Sequence, residues 1–213
     1  MEKRPILGIS MGDPFGNGPE ITVRALSDPK IYDRCCPLVV GDATSMAYAR
    51  KVAKKVSGID LNMNVCKDVK DAKFQYGTID VLDMGLVPPE AIPDTSDLDV
   101  SQPFGVGACA IGGEAAFQYV VKVITLAMNG EIDATVTNAL SKEAINMAGH
   151  HYSGHTEIYA DYTHTSKYTM MLAHENLRVH SGFPQTTDSC KGVVVEAFGL
   201  GGVHNIRRDH AES

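Results

Sequence analysis

Cysteines are few in this sequence, and none are spaced as a C-x-x-C pair. The five cysteines stand at positions 35, 36, 66, 109 and 190, which is an odd number. An odd set without paired spacing favours reduced thiols over a disulfide framework. Cysteine usage therefore predicts a cytoplasmic protein.

Long apolar runs are also missing. No stretch approaches the ~18 consecutive apolar residues that a membrane-spanning helix needs. The apolar run near the N-terminus is interrupted by Gly12, Asp13 and Pro14, which is too early for a signal peptide. The sequence therefore predicts no membrane segment and no membrane partner.

Positive charge is in deficit, with 19 Lys and Arg against 26 Asp and Glu and a formal net charge of -7. This balance argues against nucleic acid or an anionic membrane as the main partner. A locally basic pocket for a phosphorylated metabolite stays compatible with it. With 213 residues, 44% of them hydrophobic, the chain is long enough for one large globular domain or two small ones.

The sequence does contain an alternation of strand and helix periods. Helical patterns begin at Pro19 and cover residues 43–56, 112–130 and 141–149. Apolar segments typical of strands are "RPILGISM", "CPLVVGD", "IDLNMNV", "GTIDVLDMG" and "EIDATVTNAL", with "YTMMLA" and "LRV" expected to pair around "HENL". The alternation predicts an α/β fold with a largely parallel central sheet.

Helix ends carry their own signals. Asp42 is expected to cap the N-terminus of helix 43–56, and Gly58 to end it. Gly130 is expected to end the clearest helix, in which Phe117 and Ile124 mark an apolar face.

Ligands of such sheets bind at the carboxyl ends of strands, in the loops that lead into helices. Three predicted loops meet this condition: Gly12–Gly18, Asn138–Lys142 and Gly149–Thr156. We expect the chemistry of the protein to lie there.

The first loop lies in "MGDPFGNGPE", a glycine-rich turn from strand to helix. Glycines permit close backbone approach, and a helix N-terminus offers free N–H groups to an anion. The spacing fits neither a P-loop nor G-x-G-x-x-G. An anion site and a tight structural turn therefore both stay open.

The second loop, in "TNALSKEA", places Asn138, Ser141 and Lys142 where a strand becomes a helix. A lysine there can hold a phosphate or carboxylate as a point charge. The alternative is an exposed lysine at a helix start.

The third loop, in "GHHYSGHTE", separates His151 and His155 by four residues, with Ser153 and Gly154 between them. The pattern is not H-E-x-x-H, and a helix is expected to start at Thr156. A neutral imidazole at His155 can bind a divalent metal, although a metal site needs three or more ligands. A solvated loop histidine is the competing interpretation.

The C-terminal stretch has an apolar strand followed by Gly199, Gly201 and Gly202 and then Arg207 and Arg208. Glycines with arginines can bind an anion, and a flexible terminal turn is the alternative.

Three of these motifs, "GDPFGNGPE", "NALSKEAINMAGHHYSGHTE" and "YTMMLAHENLRV", resemble the 4-hydroxythreonine-4-phosphate dehydrogenase family. The second motif is most similar to the catabolic branch, the 4-phospho-D-threonate and 4-phospho-D-erythronate dehydrogenases. The resemblance runs from Arg4 to Val179. It implies a three-layer α/β/α fold like that of isocitrate and isopropylmalate dehydrogenases, with the second lobe incomplete in this chain.

The resemblance also implies the chemistry, which is a metal-dependent, NAD-linked oxidative decarboxylation of a phosphorylated 3-hydroxy acid. The cofactors would be NAD and a divalent metal, either Zn, Mg or Co. The active site would lie between two lobes and be completed in a homodimer.

The family motifs assign roles to five residues. His155, in "GHTE", would be a metal ligand. Leu140, Ser141 and Lys142 would bind substrate, and Lys142 together with Asp13 would serve catalysis. Leu140 stands close to a histidine position of biosynthetic members, which favours the catabolic branch. No cofactor-binding residue is assigned.

Beyond residue 179 the sequence departs from the family. The expected further metal histidines have no counterpart, and residues 180–213 resemble a segment of a type I asparaginase. We therefore divide the chain into a dehydrogenase portion, 1–179, and a divergent tail, 180–213. The alternative function is a catalytically impaired, truncated or chimeric relative that binds or dimerises. Asparagine hydrolysis is the weakest reading, because the nucleophilic threonine motifs are not found.

Overall fold

A seven-stranded sheet forms the centre of the described protein. The computed structural model describes residues 3–92, 107–166, 168, 171–174, 177–180, 195–199 and 201–205. Within these residues the strands are β1 (Ile6–Ser10), β2 (Cys36–Gly41), β3 (Asn62–Cys66), β4 (Thr78–Asp83), β5 (Ala134–Thr137), β6 (Met171–His174), β7 (Leu177–His180), β8 (Val195–Gly199) and β9 (Gly201–Asn205). The order across the sheet is β3-β4-β2-β1-β5-β9-β8. Strands β3, β4, β2, β1 and β5 are parallel, which confirms the α/β fold class.

The helices of the described residues alternate with these strands. They are α1 (Gly18–Ala25), α2 (Pro29–Arg34), α3 (Ala43–Ser57), α4 (Ala110–Met128), α5 (Lys142–Met147) and α6 (His155–Tyr162). Helix α1 packs against α3, and α4 packs against β1, β2, β5, α5 and α6. Right-handed crossovers between parallel strands place α1 and α3 on one face and α4 on the other. The result is the predicted three-layer arrangement.

The sheet is buried in its middle. All six residues of β2 are buried, as is usual for a parallel strand covered by helices on both faces. A second apolar cluster joins α4, α5 and α6 through Phe117, Val120, Ile145 and Ile158. This cluster fixes α5 and α6 near the carboxyl end of β5.

Asp42 stands at the N-cap position of α3, as predicted. Its carboxylate, however, makes no cap hydrogen bond. One carboxylate oxygen instead accepts the Val87 N–H at 3.1 Å, and the other accepts the Tyr119 hydroxyl. The Ala43 N–H, at the start of α3, donates to Asp83 Oδ1 at 2.9 Å. A carboxylate from a distant part of the sequence therefore accepts a hydrogen bond at the start of this helix, and Asp42 does not. Gly58 ends the helix as predicted, with φ +68°.

Helix α4 is the only helix of the described part with the length and apolarity of a membrane span. Of its most apolar stretch, 56% is buried inside the fold. Glu114 and Lys122 interrupt its sequence, so the run of apolar residues is not continuous. Its packing against three strands is that of a core helix.

The described strands beyond α6 form two antiparallel pairs. Strands β6 and β7 pair antiparallel around "HENL", which confirms the prediction. The tail contributes β8, as expected, and also β9, which was not predicted. Arg207, Arg208 and Cys190 lie outside the described residues. The described cysteines, at 35, 36, 66 and 109, are free thiols.

Candidate functional site

The candidate site lies where the direction of the strand order reverses. The chain leaves β1 toward β2 on one side, whereas β5 adds to the other side of β1. Parallel sheets bind ligands at such a switch point, outside the carboxyl ends of the strands. The ends of β1 and β5 are adjacent, since Ser10 pairs with Thr137. The first two predicted loops are therefore neighbours in space.

The glycine-rich turn after β1 packs tightly against the loop after β5. The Asp13 N–H donates to the Ala139 carbonyl oxygen at 3.1 Å. Gly12 has φ +77°, and a Cβ there would lie 2.5 Å from the same oxygen. A Cβ on Gly18 would lie 2.4 Å from the Met11 carbonyl oxygen. Close contacts between backbones thus account for both glycines, which supports the structural interpretation of this turn.

Asp13 is a buried carboxylate at this edge. The residue is 9% exposed, and Oδ1 accepts the Phe15 N–H at 3.0 Å. A Cβ on Gly112, in the first turn of α4, would lie 2.8 Å from the same oxygen. Burial raises the pKa of Asp13, and the hydrogen bond from Phe15 partly opposes the rise. The carboxylate therefore sits between the turn and the start of α4.

Asn138 joins the loop after β5 to β1 and α1. Its side-chain Nδ2 donates to the Ser10 carbonyl oxygen at 3.1 Å and to the Thr22 hydroxyl at 2.7 Å. The residue is 8% exposed. Sequence reasoning marked this position but missed its role, which is to hold the two strand ends together.

The three predicted substrate residues differ in what their side chains do. Leu140 is half-buried and packs against the cluster of α4, α5 and α6. The Ser141 hydroxyl accepts the Ala144 N–H at 3.2 Å and so caps α5. Lys142 is the first residue of α5 and is exposed. Of the three, Lys142 has the side chain that can extend toward a ligand, and the substrate roles stay predictions.

His155 reaches the same edge from α6. It is the first helical residue, so α6 begins one residue earlier than predicted. The Tyr159 hydroxyl, one turn on, donates to the Thr135 hydroxyl of β5 at 2.8 Å and fixes the helix to the strand. The His155 ring makes a hydrogen bond to the backbone of Asn138, and its Nε2 atom is buried. The structure therefore brings His155 and Asn138 together.

Desolvation keeps the His155 imidazole neutral near pH 7. Desolvation lowers its pKa to about 4, and the hydrogen bond to Asn138 opposes this only in part. The imidazole is neutral near pH 7, which is the form that coordinates a metal. However, no group of three or more His, Cys, Asp or Glu side chains that could hold a metal ion occurs among the described residues. Among the described residues His155 is thus not part of a three-ligand group, and a single imidazole is too few for a metal site.

Comparison with known proteins decides the family. The profile described as "Pyridoxal phosphate biosynthetic protein PdxA" matches residues 33–182, well over half of the chain. The chain belongs to the PdxA family. This confirms the resemblance carried by the sequence motifs, and the match includes both the Asn138–Lys142 and the Gly149–Thr156 loops.

Similar proteins within the PdxA family are named dehydrogenases. The D-threonate 4-phosphate dehydrogenase of Cupriavidus necator is 38% identical over 175 residues, or 82% of this chain and 48% of that protein. A 4-hydroxythreonine-4-phosphate dehydrogenase structure from Burkholderia phymatum has a TM-score of 0.70 and 37% identity, covering 84% of this chain and 49% of that one. The corresponding Klebsiella pneumoniae structure gives 0.70 and 30%, covering 83% and 49%. The chain spans about half the length of these relatives.

The other histidines of the PdxA-family motif have distinct surroundings. His150 Nε2 lies 2.6 Å from Glu114 Oε2, and its ring stacks on Phe117. His151 is exposed and contacts Asn146 Oδ1 at 3.0 Å. Sequence reasoning missed the His150–Glu114 contact, because 36 residues separate the partners and no local pattern connects them.

The lowered pKa of His155 predicts a pH dependence of folding in this PdxA-family chain. Its folded pKa, about 4, lies below its unfolded value of 6.5, so the unfolded state takes up the proton first. The contribution of the neutral His155 ring to the free energy of unfolding is therefore full above about pH 6.5 and is lost as pH falls toward about 4. Between about pH 7 and about pH 4.5, the wild type should lose about 2 kcal/mol more unfolding free energy than His155→Gln. Urea titrations at both pH values measure this difference.

The control for this titration is His151→Gln, which removes an exposed histidine four residues away. It should keep the wild-type pH dependence. Equal losses in the wild type and in His155→Gln would show that the His155 ring is not held neutral by burial.

Proposed function

We propose that this chain carries part of the substrate site of a PdxA-family dehydrogenase, which oxidises a phosphorylated 3-hydroxy acid with NAD and a divalent metal and then decarboxylates it. The observation that carries the proposal is His155, a half-buried residue whose Nε2 atom is buried and whose neutral imidazole is held against Asn138 at the carboxyl end of β5. Asp13 and Lys142 lie on the loops at the same edge of the sheet. A histidine with a perturbed pKa at a strand switch point is a mark of a functional site.

The names of the relatives suggest the class of substrate. D-threonate 4-phosphate and 4-hydroxythreonine-4-phosphate share a carboxylate, a C3 hydroxyl and a terminal phosphate, and they differ at C2, which bears a hydroxyl or an amino group. The chain as a whole is acidic, with a net charge of -7, so an anionic substrate needs a local cation. We assign that role to Lys142, whose exposed ammonium can hold the phosphate or the carboxylate as a point charge.

Asn138 and Asp13 hold the loops at this edge of the sheet in place. The Asn138 hydrogen bonds to Ser10 and Thr22 fix the loop that carries Ser141 and Lys142. Asp13 fixes the turn of the neighbouring loop through its backbone contact with Ala139 and its side-chain contact with Phe15. A divalent Zn, Mg or Co ion would hold and polarise the substrate hydroxyl when bound, and NAD would accept the hydride. His155 would be one ligand of that ion, and the described residues do not complete the site.

The remaining proposals follow the family. We propose a homodimer in the cytoplasm, as the family resemblance and the cysteine usage imply. We propose no nucleic-acid or membrane partner, because the net charge is negative. We also propose the division at residue 179 into a dehydrogenase portion and a divergent tail. The molar mass in solution, measured by light scattering, tests the dimer directly.

The function is tested by following NADH formation from a panel of acids with Mg²⁺, Zn²⁺ or Co²⁺. We expect turnover of 4-phospho-D-threonate or 4-phosphooxy-threonine and none of unphosphorylated D-threonate. Loss of the Lys142 charge in Lys142→Met should lower kcat/KM by about 10- to 100-fold, since a charged hydrogen bond contributes about 1.5–3 kcal/mol. The matched control is Lys122→Met on α4, which should leave kcat/KM unchanged.

Each outcome of the panel is informative. Preference for the acid with a C2 hydroxyl would assign the catabolic branch, and preference for the C2 amine the biosynthetic one. A folded chain that binds metal and dimerises but turns over neither acid would overturn the dehydrogenase proposal. That result would favour the alternative of a binding or dimerising relative.

A further inference from the structure

His150 attaches the start of the loop that leads to His155 to α4. Its Nε2 lies 2.6 Å from Glu114 Oε2. Its ring stacks on Phe117, with ring centroids 3.7 Å apart and planes 13° from parallel. The backbone N–H of His150 also donates to the Ile145 carbonyl oxygen at 2.9 Å. These contacts fix the start of the loop against two helices.

The Glu114 carboxylate is oriented for this contact. Its other oxygen, Oε1, accepts from Gln118 Nε2 at 2.8 Å, one turn further along α4. Partial burial raises the pKa of Glu114, but the hydrogen bonds from Gln118 and His150 outweigh it, so the pKa lies below its usual value. Glu114 is therefore ionised near pH 7 and can accept from the His150 ring.

The far end of the loop is attached to α6 instead. The Ser153 N–H donates to Glu157 Oε2 at 2.8 Å, and the Tyr152 hydroxyl donates to Asp161 Oδ2 at 2.6 Å. The Tyr152 ring also lies 5.6 Å from the Phe117 ring. The loop is thus fixed to α4 at His150 and to α6 just before His155.

We propose that Glu114 and His150 are positioning residues that hold the 149–154 loop and thereby keep the Nε2 atom of His155 buried at the end of β5. The proposal deepens the proposed function, since it concerns the same histidine, but its test does not depend on catalysis. The pair is partly exposed, with side-chain exposures of 45% for Glu114 and 23% for His150. Such a pair contributes little to global stability, so its loss should loosen the loop without unfolding the protein.

The accessibility of His155 measures this effect. Diethyl pyrocarbonate modifies exposed neutral imidazoles, and peptide mass spectrometry gives the rate at each histidine separately. In Glu114→Ala and in His150→Ala we expect the rate at His155 to rise about five-fold, with a change in Tm of less than about 2 °C. Glu114→Gln keeps an acceptor for the His150 ring and should restore most of the protection.

The matched control is Asp60→Ala, which removes the Lys54–Asp60 ion pair, also 2.6 Å long, at a distant surface. It should leave the rate at His155 unchanged. Should either alanine variant fail to fold, His150→Phe keeps the stacking on Phe117 and removes only the contact with Glu114. It should give an intermediate rate.

Wild-type rates in Glu114→Ala and His150→Phe would overturn the proposal and would show that the Tyr159–Thr135 bond and the hydrogen bond to Asn138 hold His155 without the loop contacts. A wild-type protein without dehydrogenase activity would overturn the proposed function, while the labelling rates would still decide on the positioning pair. If the wild type is active, kcat/KM of Glu114→Ala should fall about five-fold and recover in Glu114→Gln.

Discussion

Replacing Gly113 with alanine is expected to destabilise the protein by about 3 kcal/mol, the upper end of the usual cost of overpacking. A Cβ on Gly113 would lie 1.9 Å from the Ala144 carbonyl oxygen and 2.2 Å from its carbon. Both obstructing atoms belong to the backbone of α5, so no side-chain rotation relieves the clash. Helix α5 would have to move away from α4. Urea unfolding at pH 7 measures the loss.

The direction of the change in stability is informative, because alanine without a clash would stabilise a helix relative to glycine by about 0.5–1 kcal/mol. A stabilised or neutral Gly113→Ala variant would mean that α4 and α5 are not in the contact described. Gly154→Ala is the control. Gly154 has an extended φ of 166°, and nothing lies within 4 Å of the position its Cβ would take. That variant should stay within about 0.5 kcal/mol of the wild type.

Replacing Asp42 with alanine should cost about 3 kcal/mol, because it leaves two buried donors without acceptors. Asp42 is 1% exposed, and its carboxylate accepts the Tyr119 hydroxyl and the Val87 N–H. Tyr119 is fully buried, and burial together with the neighbouring Asp42 carboxylate raises its pKa. Thermal and urea unfolding of the variant test this cost.

The pair with Tyr119 can be separated from the rest of the effect. In Tyr119→Phe the donor is removed together with its need for a partner, so the double variant should be less destabilised than the two single changes added together. Strict additivity would contradict a direct Asp42–Tyr119 bond. Asp60→Ala, which removes an exposed carboxylate, should cost less than about 1 kcal/mol.

Much of the fold was predictable because periodicity reports burial directly. The apolar runs of β1, β2 and β4 and the long face of α4 identified their elements, and Gly58 and Gly130 marked the ends of helices with their positive φ. Helix α2 was missed because six residues give too little periodicity. A local signal existed, however, since Asp28 caps this helix and Pro29 begins it.

The site was predictable only in outline. The loops could be placed at one edge of a parallel sheet, and a family motif selected His155. The sequence did not reveal which residues form hydrogen bonds with side chains far away in the chain. Asn138 bonds to Ser10 and Thr22, more than 100 residues distant, and Asp42 bonds to Tyr119 rather than to its own helix. Such contacts depend on packing, which has no local pattern.

The pairing of β9 with β5 covers an edge of the sheet that could otherwise pair with strands of other chains. Thr135, Val136 and Thr137 face His204, Val203 and Gly202 in antiparallel register. Without that strand, β5 would present a row of unpaired backbone N–H and carbonyl groups, and such an edge templates the addition of strands from other molecules. The tail therefore shields the strand that carries the candidate site from edge-to-edge aggregation, and it leaves the short β8 as the outer strand on that side.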